Sequence, residues 1–105
     1  MKRKLSNICY GFFSTLANPT RLAILEKLSE SEMNVTQLAQ TLKQEQSMIS
    51  HNLKPLLHCR FIHSERQGKS TIYHINNDTV SVLFKALDNH SQNHCPYDSN
   101  CPKSL

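Results

Sequence analysis

Four side chains near the end of the chain have the types and spacing to hold a metal ion. His90, His94, Cys95 and Cys101 read H-x3-H-C-x5-C. On a helix, His90 and His94 share one face at i, i+4, which suits two imidazoles on one ion. Cys95 then stands about 100° further round. Pro96 ends such a helix soon after, and the freed chain can fold back to bring in Cys101. Two imidazoles and two thiolates complete a tetrahedral Zn²⁺ set, which Co²⁺ or Cd²⁺ also suits. Cys95 and Cys101 also make a candidate redox pair if their thiols are exposed and reactive. The other two cysteines, Cys9 and Cys59, read as small core residues.

A second group of residues points to a different chemistry. In Gln46–Ile62, the apolar side chains of Ile49, Leu53, Leu56 and Leu57 recur at i, i+4, i+7, i+8, one face of a helix. Gln46, Ser47, Ser50, His51, Asn52, Lys54 and His58 supply hydroxyls, amides, imidazoles and a cation, with no carboxylate after Glu45. A merely solvated face usually mixes both charge signs. Donors and cations without an acid suit phosphates and the acceptor-rich floor of a DNA major groove. Pro55 interrupts this pattern and predicts a kink, because it removes the bond to the carbonyl of His51.

Positioning these residues takes a small set of elements. Leu5, Ile8, Cys9, Phe12, Phe13 and Leu16 form the stripe of a first helix. Asn18 caps a second helix that opens on Pro19 and runs to about Ser29. Val35–Leu42 reads as a short third helix with Thr36 as its cap. The Gln46 helix follows as the fourth. Phe61–Arg66 and Ser70–Ile75 alternate around Gly68, a β-hairpin with Arg66 and Lys69 flanking its tip. Both cations are placed to meet phosphate. Asp78 caps a last helix with Val80, Leu83, Phe84 and Leu87 along its stripe.

The fold class is therefore mainly α with a β-hairpin wing: a winged helix-turn-helix over 1–88, followed by a His- and Cys-rich tail over 89–105. With 105 residues and a net charge of +4, the chain makes one basic domain suited to an anionic partner. So small a domain leaves apolar surface uncovered, and its broad apolar last helix predicts a partner subunit. No apolar run reaches membrane-spanning length, and no signal-peptide core follows Met1-Lys2-Arg3-Lys4, so a cytoplasmic location with no membrane partner is expected. Two glycines exclude a Gly-rich nucleotide loop. No nucleophile–base pair has a recognisable local setting, so an enzyme is not expected.

Two stretches, Leu16-Ala17-Asn18-Pro19-Thr20-Arg21-Leu22-Ala23-Ile24-Leu25 and Gln46-Ser47-Met48-Ile49-Ser50-His51-Asn52-Leu53-Lys54, resemble the ArsR/SmtB family of winged-helix repressors. The resemblance covers roughly residues 12–87. It implies a homodimer formed by the first and last helices, bound to an imperfect inverted repeat in double-stranded DNA and released when an effector binds. It also marks departures. Met33–Leu38 lacks the cysteine-containing metal box of the third helix, and Lys43 and Arg60 stand where glycine is usual. Asp88-Asn89-His90 matches half of the family's zinc motif between the last helices, but Ser104 is a poor final ligand. Cys95 and Cys101 resemble the thiolate spacing of arsenite-responsive members, where Cys9 would have to supply a third sulfur. Zinc or a similar divalent metal is thus the first effector and arsenite the second. The rival readings are a redox switch, a zinc site that is purely structural, and a protein-interaction module.

Overall fold

The structure, a computed structural model, describes residues 5–94. Five helices and one hairpin follow in the order α1 Leu5–Leu16, α2 Pro19–Glu30, α3 Val35–Leu42, α4 Gln46–His58, β1 Ile62–Gln67, β2 Ser70–Ile75 and α5 Asn77–Asn93. This is the expected winged helix-turn-helix. No helix among the described residues is long and apolar enough to cross a membrane.

Local chemistry accounts for the helix boundaries. At α2, the Asn18 side chain accepts from the Arg21 N–H at 3.0 Å and Pro19 takes the first helical position, as the sequence predicts. The α3 cap differs from expectation. Asn34, two residues before Thr36, accepts from the Gln37 N–H at 2.8 Å, while the Gln37 side chain accepts from the Asn34 N–H at 2.9 Å. That reciprocal capping box satisfies two donors, whereas a hydroxyl at Thr36 satisfies one. Thr36 instead sits inside the first turn. At α5 the cap is Asn76, not Asp78: the Asn76 side chain accepts from the Asp78 N–H at 3.1 Å. Asp78 lies in the first turn, where a carboxylate favours the helix dipole.

Two helices end on residues held in left-handed backbone, Lys43 with φ 56° and Arg60 with φ 62°. These are the two positions where the sequence lacks an expected glycine. After α4, Phe61 N–H donates to the Leu56 carbonyl at 2.9 Å and Arg60 N–H to that of Leu57 at 3.1 Å. This is a Schellman closure. Gln44 N–H likewise reaches the Ala39 carbonyl at 3.0 Å after α3. Helix α4 runs through Pro55 without ending there. Only the bond to His51 is forfeited, and Leu53 and Leu56 hold the helix to the core on either side of the proline.

The core joins Leu16 of α1, Ile24, Leu25 and Leu28 of α2, Leu38 and Ala39 of α3, Ile49, Leu53 and Leu56 of α4, Phe61, Ile62, and Val80 of α5. Phe12 seats its ring edge against Phe61, centroids 4.9 Å apart, tying α1 to the loop after α4. In the hairpin, Ile62 pairs with Ile75 and Gln67 with Ser70, leaving Gly68 and Lys69 as the turn. Gly68 has φ 64°, the value that a tight turn opening on glycine requires. Met33 and Tyr73 exchange backbone bonds of 3.1 and 2.8 Å, so the segment before α3 docks on the free edge of β2. This covers an edge that would otherwise present unpaired groups.

Candidate nucleic-acid interface and metal ligands

Burial of Ile49, Leu53 and Leu56 turns the opposite side of α4 outward. Gln46, Ser47, Ser50, His51 and Lys54 are all exposed there. Gln46 also donates to the Thr36 hydroxyl at 3.4 Å, a weak link between α3 and the start of α4. Neither the first turn of α4 nor its last contains an acid. The one ion pair among the described residues is Lys27–Glu30 on α2, so Lys54, Arg66 and Lys69 are paired with no carboxylate among them. At the wing tip, Arg66 folds over the turn and donates from Nε to the Gly68 carbonyl at 3.2 Å, which leaves its terminal nitrogens exposed.

Asn52 departs from the expectation that it contacts DNA. It is 4 % exposed, accepts from Arg21 Nε at 3.0 Å and donates to the Met48 carbonyl at 3.0 Å. The signal was present in the spacing. Asn52 lies three residues after Ile49 and four before Leu56, on the core side of the stripe. Met48 is the reverse case. Its apolar side chain gives no sign of a DNA contact in the sequence, yet it is 49 % exposed beside Ser47 and His51. An exposed thioether there suits contact with a thymine methyl.

Cys59 also departs from expectation: it is exposed, not core. It is the C-cap residue of α4, where the chain leaves the helix. Its Sγ lies 3.4 Å from the Thr15 hydroxyl of α1. The side chain of Cys9 lies outside the described residues.

Helix α5 continues past Asp88 to Asn93, with His94 as its cap residue. His90 and His94 therefore do share a face, both exposed, with ring centroids 5.6 Å apart. Two imidazoles on one tetrahedral Zn²⁺ have ring centres roughly 5 Å apart, close to this separation. Cys95 and Cys101 lie outside the described residues. Among the described residues no three His, Cys, Asp or Glu side chains group closely enough to hold a metal. Asp88 is engaged with Gln92, whose amide donates to both carboxylate oxygens at 3.3 Å.

A further surface is apolar. Tyr10 and Phe13 of α1, Leu22 of α2, and Val82 and Leu87 of α5 are exposed. Phe13, Leu16, Ala17, Leu22, Leu83 and Leu87 line one groove between these helices.

Residues 18–64 match the family described as "Bacterial regulatory protein, arsR family". The chain is 33 % identical over 81 residues to a transcriptional repressor, an SmtB homolog from Synechocystis; the match covers 77 % of this chain and 61 % of that protein, less than two thirds of its length. The crystal structure of NolR from Sinorhizobium fredii superposes with a TM-score of 0.75 at 33 % identity, covering 80 % of this chain and 84 % of that one. A homodimeric winged helix-turn-helix DNA-binding domain from Mycobacterium bovis superposes with a TM-score of 0.76 over 92 % of this chain and 93 % of that one. At 23 % identity that likeness speaks to the fold alone.

Proposed function

Because this chain belongs to the ArsR/SmtB family of winged-helix transcriptional regulators, we propose that it is a homodimeric DNA-binding repressor released from its operator by a metal ion. The observation that carries the reading is the exposed, acid-free polar face of α4, held outward by the buried Ile49, Leu53 and Leu56. Gln46, Ser47, Ser50 and His51 meet bases and phosphates in the major groove, with Met48 at the edge of the contact. Lys54, Arg66 and Lys69 neutralise phosphate, so affinity falls steeply with salt.

The apolar surface of α1 and α5, extended by Leu22, meets its copy in a second subunit. The pair of recognition helices then reads an imperfect inverted repeat. Zinc or a similar divalent metal would be held by His90, His94, Cys95 and Cys101 and would supply a crosslink among them. Such a crosslink would bear on the end of α5, beside the exposed Leu87 of the apolar surface. A changed angle between the recognition helices would then cost their fit to the half-site spacing.

The test is fluorescence anisotropy of the apoprotein on duplex DNA from its own upstream region, titrated with Zn²⁺ and separately with arsenite under reducing conditions. Binding released by Zn²⁺ is the expected result, and replacing Cys95 and Cys101 by Ser should abolish release without weakening DNA binding. Release by arsenite alone moves the effector to the thiolates. Tight binding unmoved by either leaves a DNA-binding protein whose tail is structural or redox-active. A folded dimer with no preference for the upstream DNA overturns the repressor reading and favours an interaction module.

A further inference from the structure

Arg21 lies in the first turn of α2 and is half-buried. Its guanidinium has no carboxylate partner; the one ion pair among the described residues is elsewhere. It donates instead from Nε to the Asn52 side chain at 3.0 Å and from a terminal nitrogen to the Thr15 carbonyl at 3.2 Å. Thr15 lies in the last turn of α1, where carbonyls have no helical N–H to accept from and a cation is favoured. Asn52 lies in the middle of α4 and is itself tied to the Met48 carbonyl. Both Thr15 and Asn52 are buried. One side chain of α2 thus bonds α1 on one side and α4 on the other. The Thr15 hydroxyl makes a further contact with Cys59 at the end of α4.

Apolar burial holds α4 in place but is non-directional, and helices packed only by it have freedom to roll. Charge-assisted bonds are directional and strengthen where water is excluded. Helix α1 carries Tyr10 and Phe13 of the apolar surface, and α4 carries the polar face. The bonded chain Thr15–Arg21–Asn52 is therefore a direct polar link between the two surfaces.

We propose that Arg21 is a positioning residue for DNA recognition: through Asn52 and the Thr15 carbonyl it sets the recognition helix against the dimer-forming helix without itself contacting DNA. The inference rests on the repressor reading above. It differs from a general structural role in what it changes. A wrongly rolled α4 loses sequence preference, while phosphate contacts from flexible lysines and arginines survive.

The experiment compares the full-length wild type with Arg21→Met, Arg21→Lys and, as a phosphate-contact control, Lys54→Ala. Anisotropy is measured on upstream-region duplex and on random-sequence duplex of equal length, across a salt series, well below each variant's unfolding midpoint. Arg21→Met keeps most of the stem but no donors. It should lose roughly tenfold in preference for the upstream duplex, with its salt slope and random-sequence affinity unchanged. Lys54→Ala should instead lower the salt slope by about 1. Arg21→Lys keeps the charge but not the two-pronged geometry, so it should follow Arg21→Met in direction.

Full rescue by Lys together with a reduced slope in Arg21→Met would make Arg21 a phosphate contact and overturn the proposal. Wild-type preference in a less stable Arg21→Met would overturn it too, leaving a purely structural residue. If Arg21→Met does not fold, Arg21→Lys becomes the deciding variant: lost preference at an unchanged salt slope supports the proposal, and wild-type preference overturns it. A wild-type protein without preference for upstream DNA sinks the repressor reading and this inference together, and it is seen before any variant is measured.

Discussion

Helix α4 and the last two turns of α5 are built from similar side chains. Both are rich in His, Asn, Ser and Gln, and each carries two imidazoles. Their settings are opposite. In α4, Ile49, Asn52, Leu53 and Leu56 are buried, and the polar bonds reach Thr36 of α3 and Arg21 of α2. From Leu87 to His94 in α5, every residue but Ser91 is exposed, and the side-chain bonds stay within the helix at i, i+4, Gln92 to Asp88 and Asn93 to Asn89. A polar face becomes a positioned site only when an apolar stripe and polar anchors behind it hold it. The first region is held in place by the core behind it; the second, over the described residues, offers two imidazoles on an exposed helix end.

The largest effect that tests this contrast is on Leu53, which is 2 % exposed. Leu53→Ala should cost about 2–5 kcal/mol in urea unfolding, because a cavity opens directly beneath the recognition face. A loss under about 1 kcal/mol would mean that α4 is not anchored as described. A smaller effect, of opposite sign, belongs to the turn that ends α4. Arg60 is exposed and sits at φ 62°, so Arg60→Gly should relieve strain and stabilise by about 1 kcal/mol, read as a rise in the urea midpoint. The smallest is at the other region. His90→Ala should change stability by no more than about 0.5 kcal/mol, since that imidazole is exposed and its aromatic neighbour among the described residues is the equally exposed His94 ring 5.6 Å away. A larger loss in metal-free protein would show that the α5 end is more tightly built than its exposure indicates.

Much of the architecture was legible. Periodicity located five helices and the hairpin, and Asn18-Pro19 marked the start of α2 at the right residue. Lys43 and Arg60 were visible as non-glycine residues where glycine is usual, and both proved to be left-handed. The caps at α3 and α5 were harder. Asn34 and Asn76 compete with Thr36 and Asp78 within two positions, and only the reach of each side chain to a particular N–H separates them. The spacing of Cys59 suits a buried position, but at the helix end it is exposed, with its Sγ against the Thr15 hydroxyl.

The order of residues by itself determined which faces are apolar and which are polar. That follows from helical and strand periods, which are local properties of the chain. It also determined that α4 carries no acid on its polar side and that two histidines stand one turn apart near the end of α5. Only the tertiary structure decided which polar residues are spent inside. Asn52 and Arg21 lie 31 positions apart, and no local pattern brings their side chains to 3.0 Å. Thr15 and Cys59, 44 positions apart, meet for the same reason. The physical cause is common to both pairs. Burying Leu16, Ile24, Ile49 and Leu56 in one core forces α1, α2 and α4 together. The buried Asn52 and Thr15 must then find partners among the side chains brought beside them, because a buried donor or acceptor left without one costs more than the bond it would make.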